Sequence, residues 1–131
     1  MDIRLRTTAI EIVAADLAAT LRFYRLLGLP IGDHDGPHVE VDLPGGNTLL
    51  FDTEDTIAGM HQGWTPPTGP GRVTIAFGLD SPGDVDALFG TIVGAGHRGS
   101  LEPFDAPWGQ RYASVVDPDG TTVDLFAPLP G

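Results

Sequence analysis

The chain contains no cysteine and no lysine. The first absence excludes disulfides, thiolate nucleophiles and Cys-ligated zinc. The second excludes Schiff-base chemistry. All seven basic residues are arginines, against eighteen acids, for a formal charge of −11. A field of that sign repels phosphate, so no nucleic-acid partner and no anionic membrane partner is expected. It attracts cations, although the same charge also serves solubility. No apolar run approaches the roughly eighteen residues that span a bilayer. The opening "MDIRLRTTAIEIV" has neither an apolar signal core nor a small-residue cleavage site, so a cytoplasmic location is expected. No G-x-S-x-G occurs, and Ser81, Ser100 and Ser114 have no patterned base nearby. "PGG" (44–46) and "GPG" (69–71) lack the lysine and helix of a phosphate loop. His34 and His38 stand four apart but flank Asp35-Gly36-Pro37, which reads as a turn. Asp33, His34, Asp35 and His38 could chelate there, or form a polar hairpin loop. His97 follows the end of a helical pattern and reads as a surface residue.

What is present is a mixed apolar content of 41% over 131 residues, which fits one domain, 1–131, with one core. A weak internal repeat organises it. "AIEIVAADLAATLRFYRLLGL" (9–29) reads strand, cap, helix, stop, with Asp16 as N-cap and Leu17, Leu21, Tyr24 and Leu26 or Leu27 at helical spacing. Gly28 is the expected C-terminal stop. "TIAFGLDSPGDVDALFGTIVGAG" (74–96) repeats the plan, with Ser81 or Asp80 as cap, Pro82 in the first turn and Val85, Leu88, Phe89 and Ile92 as the stripe. A shift of 65 residues lays Ala9 on Thr74. A shift of 74 lays "HVEVDLPGGNTLLFD" (38–52) on "YASVVDPDGTTVDLF" (112–126), each a strand, a tight turn and a strand. Each half therefore reads strand–helix–strand–strand–strand. Module one is placed at about 1–53 and module two at about 72–131, with "EDTIAGMHQGWTPPTGPG" (54–71) as a Gly- and Pro-rich linker.

"DLAATLRFYRLLGL" and "PWGQRYASVVDPDGTTVDLF" resemble the two signatures of the vicinal oxygen chelate superfamily, the glyoxalase/bleomycin-resistance/dioxygenase fold. The resemblance covers nearly the whole chain. It implies an α+β fold of two βαβββ modules, whose curved mixed sheets form a concave cup with the helices on the convex side. Strand alternation then sorts the side chains. Ile10, Ile12, Val39, Val41, Leu49, Phe51, Val73, Ile75, Phe77, Ala113, Val115, Val123 and Leu125 are expected on the helix side. Glu11, His38, Glu40, Asp42, Leu50, Asp52, Tyr112, Ser114 and Asp124 are among those expected in the cup.

Metal-dependent members of the superfamily place four ligands at positions that fall here on Ala9, Leu50, Thr74 and Asp124. Only Asp124 is a competent donor. A divalent ion needs three or four N or O donors, so no metal, no cofactor and no catalytic residue is expected. The cup instead mixes acids (Glu11, Glu40, Asp124) with His38, Tyr112 and Ser114 over an apolar floor that includes Leu50. Trp108, Trp64 and Phe104 are expected as rim aromatics. A Trp before a strand also serves as plain packing, so both roles stand open for Trp108 and Trp64. Aromatic faces over an acidic cup suit a large, flat organic molecule, cationic or neutral. The resemblance then implies a non-catalytic antibiotic-resistance protein of the bleomycin-resistance type. It would sequester an aromatic natural product in pockets between the subunits of a swapped or side-by-side homodimer. The alternative is an enzyme of the same fold: a metal-dependent lyase or dioxygenase, or a metal-free isomerase or hydrolase using a cup carboxylate. Arg111, on the opposite pleat from Tyr112, is expected to make structural contacts or pair with an acid rather than line the cup.

Overall fold

In a computed structural model, which describes residues 3–33 and 35–131, the chain divides into two compact units, 1–66 and 67–131. The first unit runs β1 (Thr8–Ala14), α1 (Leu17–Leu26), β2 (His38–Leu43), β3 (Asn47–Thr53) and α2 (Glu54–Met60). The second runs β4 (Ile75–Gly78), α3 (Pro82–Gly94), β5 (Arg98–Ala106), β6 (Gln110–Val116) and β7 (Thr122–Pro128). Each unit holds a mixed sheet, ordered β1-β3-β2 and β4-β7-β6-β5. The first strand pairs in parallel with the last in both, and the remaining ladders are antiparallel. A parallel pair cannot be closed by a hairpin, so α1 and α3 serve as the crossovers. Among the described residues no helix is long and apolar enough to cross a membrane.

The helix signals act as the sequence implies. Asp16 Oδ1 accepts the Ala19 N–H, and Ser81 Oγ accepts that of Asp84, so each cap satisfies a donor in the first turn. Ser81, rather than Asp80, is the cap of α3. At the end of α1, Gly28 takes a φ of 99°. Its N–H donates to Arg25, and that of Leu29 donates back to Tyr24, the paired bonds of a Schellman stop. α1 buries Leu21, Phe23 and Tyr24, and the Tyr24 ring meets that of Phe51 on β3 at 5.1 Å.

Three expectations need correction. The first unit has three strands among its described residues, not four, because 29–33 and 35–37 form no strand. Pro30 and Pro37 lack donors, Gly32 and Gly36 weaken extension, and the Arg25 side chain takes the carbonyls of Ile31 and Gly32 that a neighbouring strand would need. The second unit is a full βαβββ module. Secondly, the stretch read as linker begins with α2, capped by Thr53 Oγ1 on the Thr56 N–H and anchored by buried Ile57. Thirdly, two of the residues assigned to the helix side are exposed. Ile10 is 37% exposed on β1, an edge strand, and Val73 is 74% exposed because β4 starts only at Ile75. His34 lies outside the described residues, and of the cluster suggested with it, His38 bonds instead to Asp52 and Glu40.

The turns that close the hairpins work differently. Gly45 and Gly46 both take positive φ, 86° and 83°, a geometry that a β-carbon would strain. In "DPDG", Asp117 is buried and its Oδ1 accepts the N–H groups of Asp119 and Thr121. It thus replaces the missing ladder partners, the usual office of an Asx turn.

Phe51→Ala leaves a cavity between α1 and the first sheet. The expected cost is about 3–5 kcal/mol, read as a lower urea midpoint at unchanged slope.

Candidate functional site

The face of each sheet opposite its helix can be laid out as rows of cross-strand neighbours. In the first sheet the rows are Ala9–Thr48–Asp42, Glu11–Leu50–Glu40 and Val13–Asp52–His38. In the second they are Ala76–Asp124–Ser114 and Gly78–Phe126–Tyr112–Phe104, the second extended across a bulge in β5. The sequence shifts of 65 and 74 carry the first rows onto the second: Glu11 to Ala76, Leu50 to Asp124, His38 to Tyr112. The repeat is thus a repeat of strand register. Its chemistry is not repeated.

The second sheet carries an aromatic row beside a fixed carboxylate. Tyr112 lies over Phe126, with centroids 6.3 Å apart and planes 20° from parallel. Gly78 makes room for this, since a β-carbon there would come within 3.1 Å of the Phe126 ring. Trp108 meets Tyr112 edge-on at 5.5 Å and Phe104 edge-on at 6.3 Å. Its indole N–H donates to Gln110 Oε1, yet the residue is 59% exposed. Asp124 accepts the Tyr112 hydroxyl on Oδ2 and the Ser114 hydroxyl on Oδ1, both at 2.6 Å. That bond, with some burial, pushes the Tyr112 phenol up to about 12. On the helix side of the same sheet, Arg111 grips Asp86 of α3 at 2.9 Å and Asp105 of β5 at 3.0 Å, the pairing expected of its pleat.

The first sheet carries a linear array of titratable groups. His38 Nδ1 lies 2.6 Å from Asp52 Oδ1, and its Nε2 lies 2.9 Å from Glu40 Oε2. With a carboxylate at each ring nitrogen, the imidazolium form donates twice. The bond to Glu40, then the bond to Asp52, raises the His38 pKa. Asp52 is only 2% exposed. Burial pushes its carboxyl up, but hydrogen bonds from Glu11 and His38 outweigh this and hold it below the usual range. Glu11 is driven the other way, chiefly by sharing a hydrogen bond with Asp52 and then by desolvation. The two carboxyls are thus shifted apart, Glu11 toward its acid form and Asp52 toward the carboxylate. Glu11 also opens into a depression of about 440 Å³ lined by Val13, Ile57, His61 and Trp64.

The structure thus brings Phe104, Trp108, Tyr112, Ser114 and Asp124 together on the second sheet. It gathers Glu11, His38, Glu40 and Leu50 on the first, with Trp64 beside Glu11. Sequence reasoning had Asp52 on this face but not among the site residues. The signal was there: His38 and Asp52 stand seven residues either side of Gly45, so the hairpin sets them opposite each other. Phe126 was likewise expected on this face of its sheet but not among the site residues, and Gln110 was missed. The ligand positions of metal-dependent superfamily members do not fit a divalent ion here. Ala9 and Leu50 offer no donor atom, Thr74 precedes β4, and both oxygens of Asp124 already hold hydroxyls.

A family model for the Glyoxalase/Bleomycin resistance protein/Dioxygenase superfamily matches residues 6–125. Solved structures share the fold. A glyoxalase/bleomycin resistance protein/dioxygenase from Nocardioides is 26% identical with a TM-score of 0.75, covering 100% of this chain and 88% of that one. A family enzyme from Burkholderia phytofirmans PsJN is 18% identical with a TM-score of 0.81, over 93% and 98%. A glyoxalase-related enzyme from Fulvimarina pelagi is 21% identical with a TM-score of 0.80, over 93% and 87%. No curated protein matches.

Two outcomes are expected from these networks. The raised pKa of His38 contributes stability that is fully present below 6.5 and is lost as pH rises through the folded-state value. Urea midpoints measured upward from about pH 6 should fall, and His38→Gln should remove that part of the fall. In Asp124→Asn, followed by tyrosinate absorbance, the Tyr112 midpoint should drop from about 12 back toward 10.

Proposed function

The chain belongs to the glyoxalase/bleomycin resistance protein/dioxygenase superfamily, and from that membership we propose that it binds a flat, cation-bearing aromatic natural product and sequesters it without turnover. One observation carries the reading. Trp108 stands 59% exposed in an aromatic row while Asp124 fixes the neighbouring row. An indole left in water at the end of an ordered aromatic ladder gains by being covered, and a planar ligand covers it with little loss of side-chain entropy. The 20° stack of Tyr112 on Phe126 holds the wall rigid before any ligand arrives.

The carboxylate of Asp124 and the overall charge of −11 favour a cation over an anion. The wall offers little for chemistry. Asp124 already accepts two hydroxyls, and the Tyr112 phenol, at about 12, stays neutral. A stoichiometric binder in the cytoplasm, paired as a homodimer with two equivalent pockets, fits such a wall: an inert surface confers resistance by holding a drug, not by altering it.

Proflavine and bleomycin, titrated against tryptophan fluorescence, test the reading. Saturable binding of one of them at one per chain is expected. Trp108→Ala should weaken it at least tenfold, about 1.4 kcal/mol, with the fold intact by circular dichroism. Binding unchanged in that variant, or no saturation with either probe, overturns the proposal.

A further inference from the structure

We propose that residues 3–7 of a second copy of this chain pair with the free edge of β2 and supply the fourth strand that the first unit lacks. This rests on the preceding reading only for the homodimer, and it adds the surface and the segment that join the copies. β2 bonds to β3 on one side, and among the described residues no strand lies along the other. The second unit has β5 in the equivalent place, beside β6. Residues 29–33 and 35–37 form no strand there, since the Arg25 side chain holds the carbonyls of Ile31 and Gly32. Edge strands are usually blunted by a proline, a bulge or a lysine. β5 has Pro103 and two register shifts. β2 has none of these and runs along β3 in unbroken register. Its cup side is acidic, with Glu40 and Asp42 exposed, while Val39 and Val41 are buried on the helix side. Those acids repel a second β2 edge and select a basic strand.

The segment ahead of β1 matches that edge. Ile3-Arg4-Leu5-Arg6-Thr7 alternates as a strand does, yet forms no strand with its own chain. Ile3 is 77% exposed and Leu5 99%. Arg4 and Arg6 are the only two of the seven arginines that stand two apart, and the ion pairs among the described residues involve neither. In an antiparallel ladder with Leu5 opposite Val41, Arg4 falls opposite Asp42 and Arg6 opposite Glu40. A parallel ladder only exchanges the two acids. In both, Ile3 and Leu5 take the pleat of Val39, Val41 and Leu43. The added main-chain bonds supply affinity, and the alternate side chains supply specificity.

A chain cannot do this to itself. A strand added to β2 lies three strand spacings from β1, about 14 Å. Arg6 stands two residues ahead of Thr8, the first residue of β1, and reaches only about 7 Å. The segment must therefore come from another copy.

Sedimentation equilibrium of the full chain at low salt tests the proposal. A mass of twice 13.8 kDa is expected, with a dissociation constant that rises on adding salt, because the new ion pairs lie at the surface. Arg4→Glu/Arg6→Glu should raise that constant at least tenfold. Leu5→Asp should do the same, and since this side chain is exposed in the single chain its loss leaves the fold intact. Glu40→Arg/Asp42→Arg makes arm and edge both basic, so it should be monomeric alone. Mixed with the Arg4→Glu/Arg6→Glu chain it should form a heterodimer, because each arm then meets an edge of opposite charge. Circular dichroism checks each fold, and if the edge variant does not fold, Leu5→Asp decides. Trp108→Ala should leave the mass unchanged, which separates this result from drug binding on the second sheet. A monomeric wild-type chain, an arm variant that dimerises as well as wild type, or folded variants that stay monomeric when mixed overturns the proposal.

Discussion

Each unit depends on one parallel strand pair. β1 lies along β3, and β4 along β7, seven and four residue pairs long. Because a parallel pair cannot be joined by a tight turn, the chain must cross over, and the helix that makes the crossing must bury its stripe on the sheet it crosses. That single requirement assigns faces. Leu49, Phe51, Val123 and Leu125 go to the helix and are fully buried, so their neighbours Leu50, Asp52, Asp124 and Phe126 must line the other face. A slip of one residue would invert both sets and put Asp52 and Asp124 in the core without partners. The cost of that inversion holds the functional rows in place.

The same frame carries two chemistries because the helix-side residues alone secure it. Position for position, His38 stands where Tyr112 does, Leu50 where Asp124 does and Asp52 where Phe126 does. In the second sheet the large residues form a ladder and the acid is quenched by hydroxyls. In the first, the acid is the buried member and an imidazole quenches it. Each arrangement satisfies its polar groups, and no described buried side-chain N or O lacks a partner. The two differ in what they leave exposed: an indole in one, a protonatable carboxyl in the other.

The parts legible in the sequence were those fixed by local physics. Alternation gave the buried sets, and Asp16, Ser81, Pro82 and Gly28 marked helix ends because capping needs only neighbours three or four residues away. The register itself was legible through the repeat, since two shifts aligned strands that prove to be paired alike. α2 was hidden because a seven-residue helix containing Gly59 is too short to show a period. The lack of a strand at 29–33 and 35–37 was hidden because its cause is a side chain, Arg25, reaching carbonyls six and seven residues on. The faces of His38, Glu40 and Glu11 were legible, but not their bonding. That depends on which rotamers meet across the strands, and period-two reasoning says nothing of rotamers.

Asp52 shows why such a bond repays attention. A carboxylate this buried costs several kcal/mol of solvation unless hydrogen bonds replace the water. His38 supplies one at 2.6 Å, and the neighbouring Glu11 carboxyl acts on Asp52 in the same direction. If His38 loses its charge, Asp52 leans harder on the Glu11 carboxyl, and Glu11 is held more firmly in the acid form. If Glu11 loses its proton, Asp52 leans on His38, which is then held more firmly as the cation. The exposed carboxyl and the half-exposed imidazole are therefore coupled through a group that water does not reach.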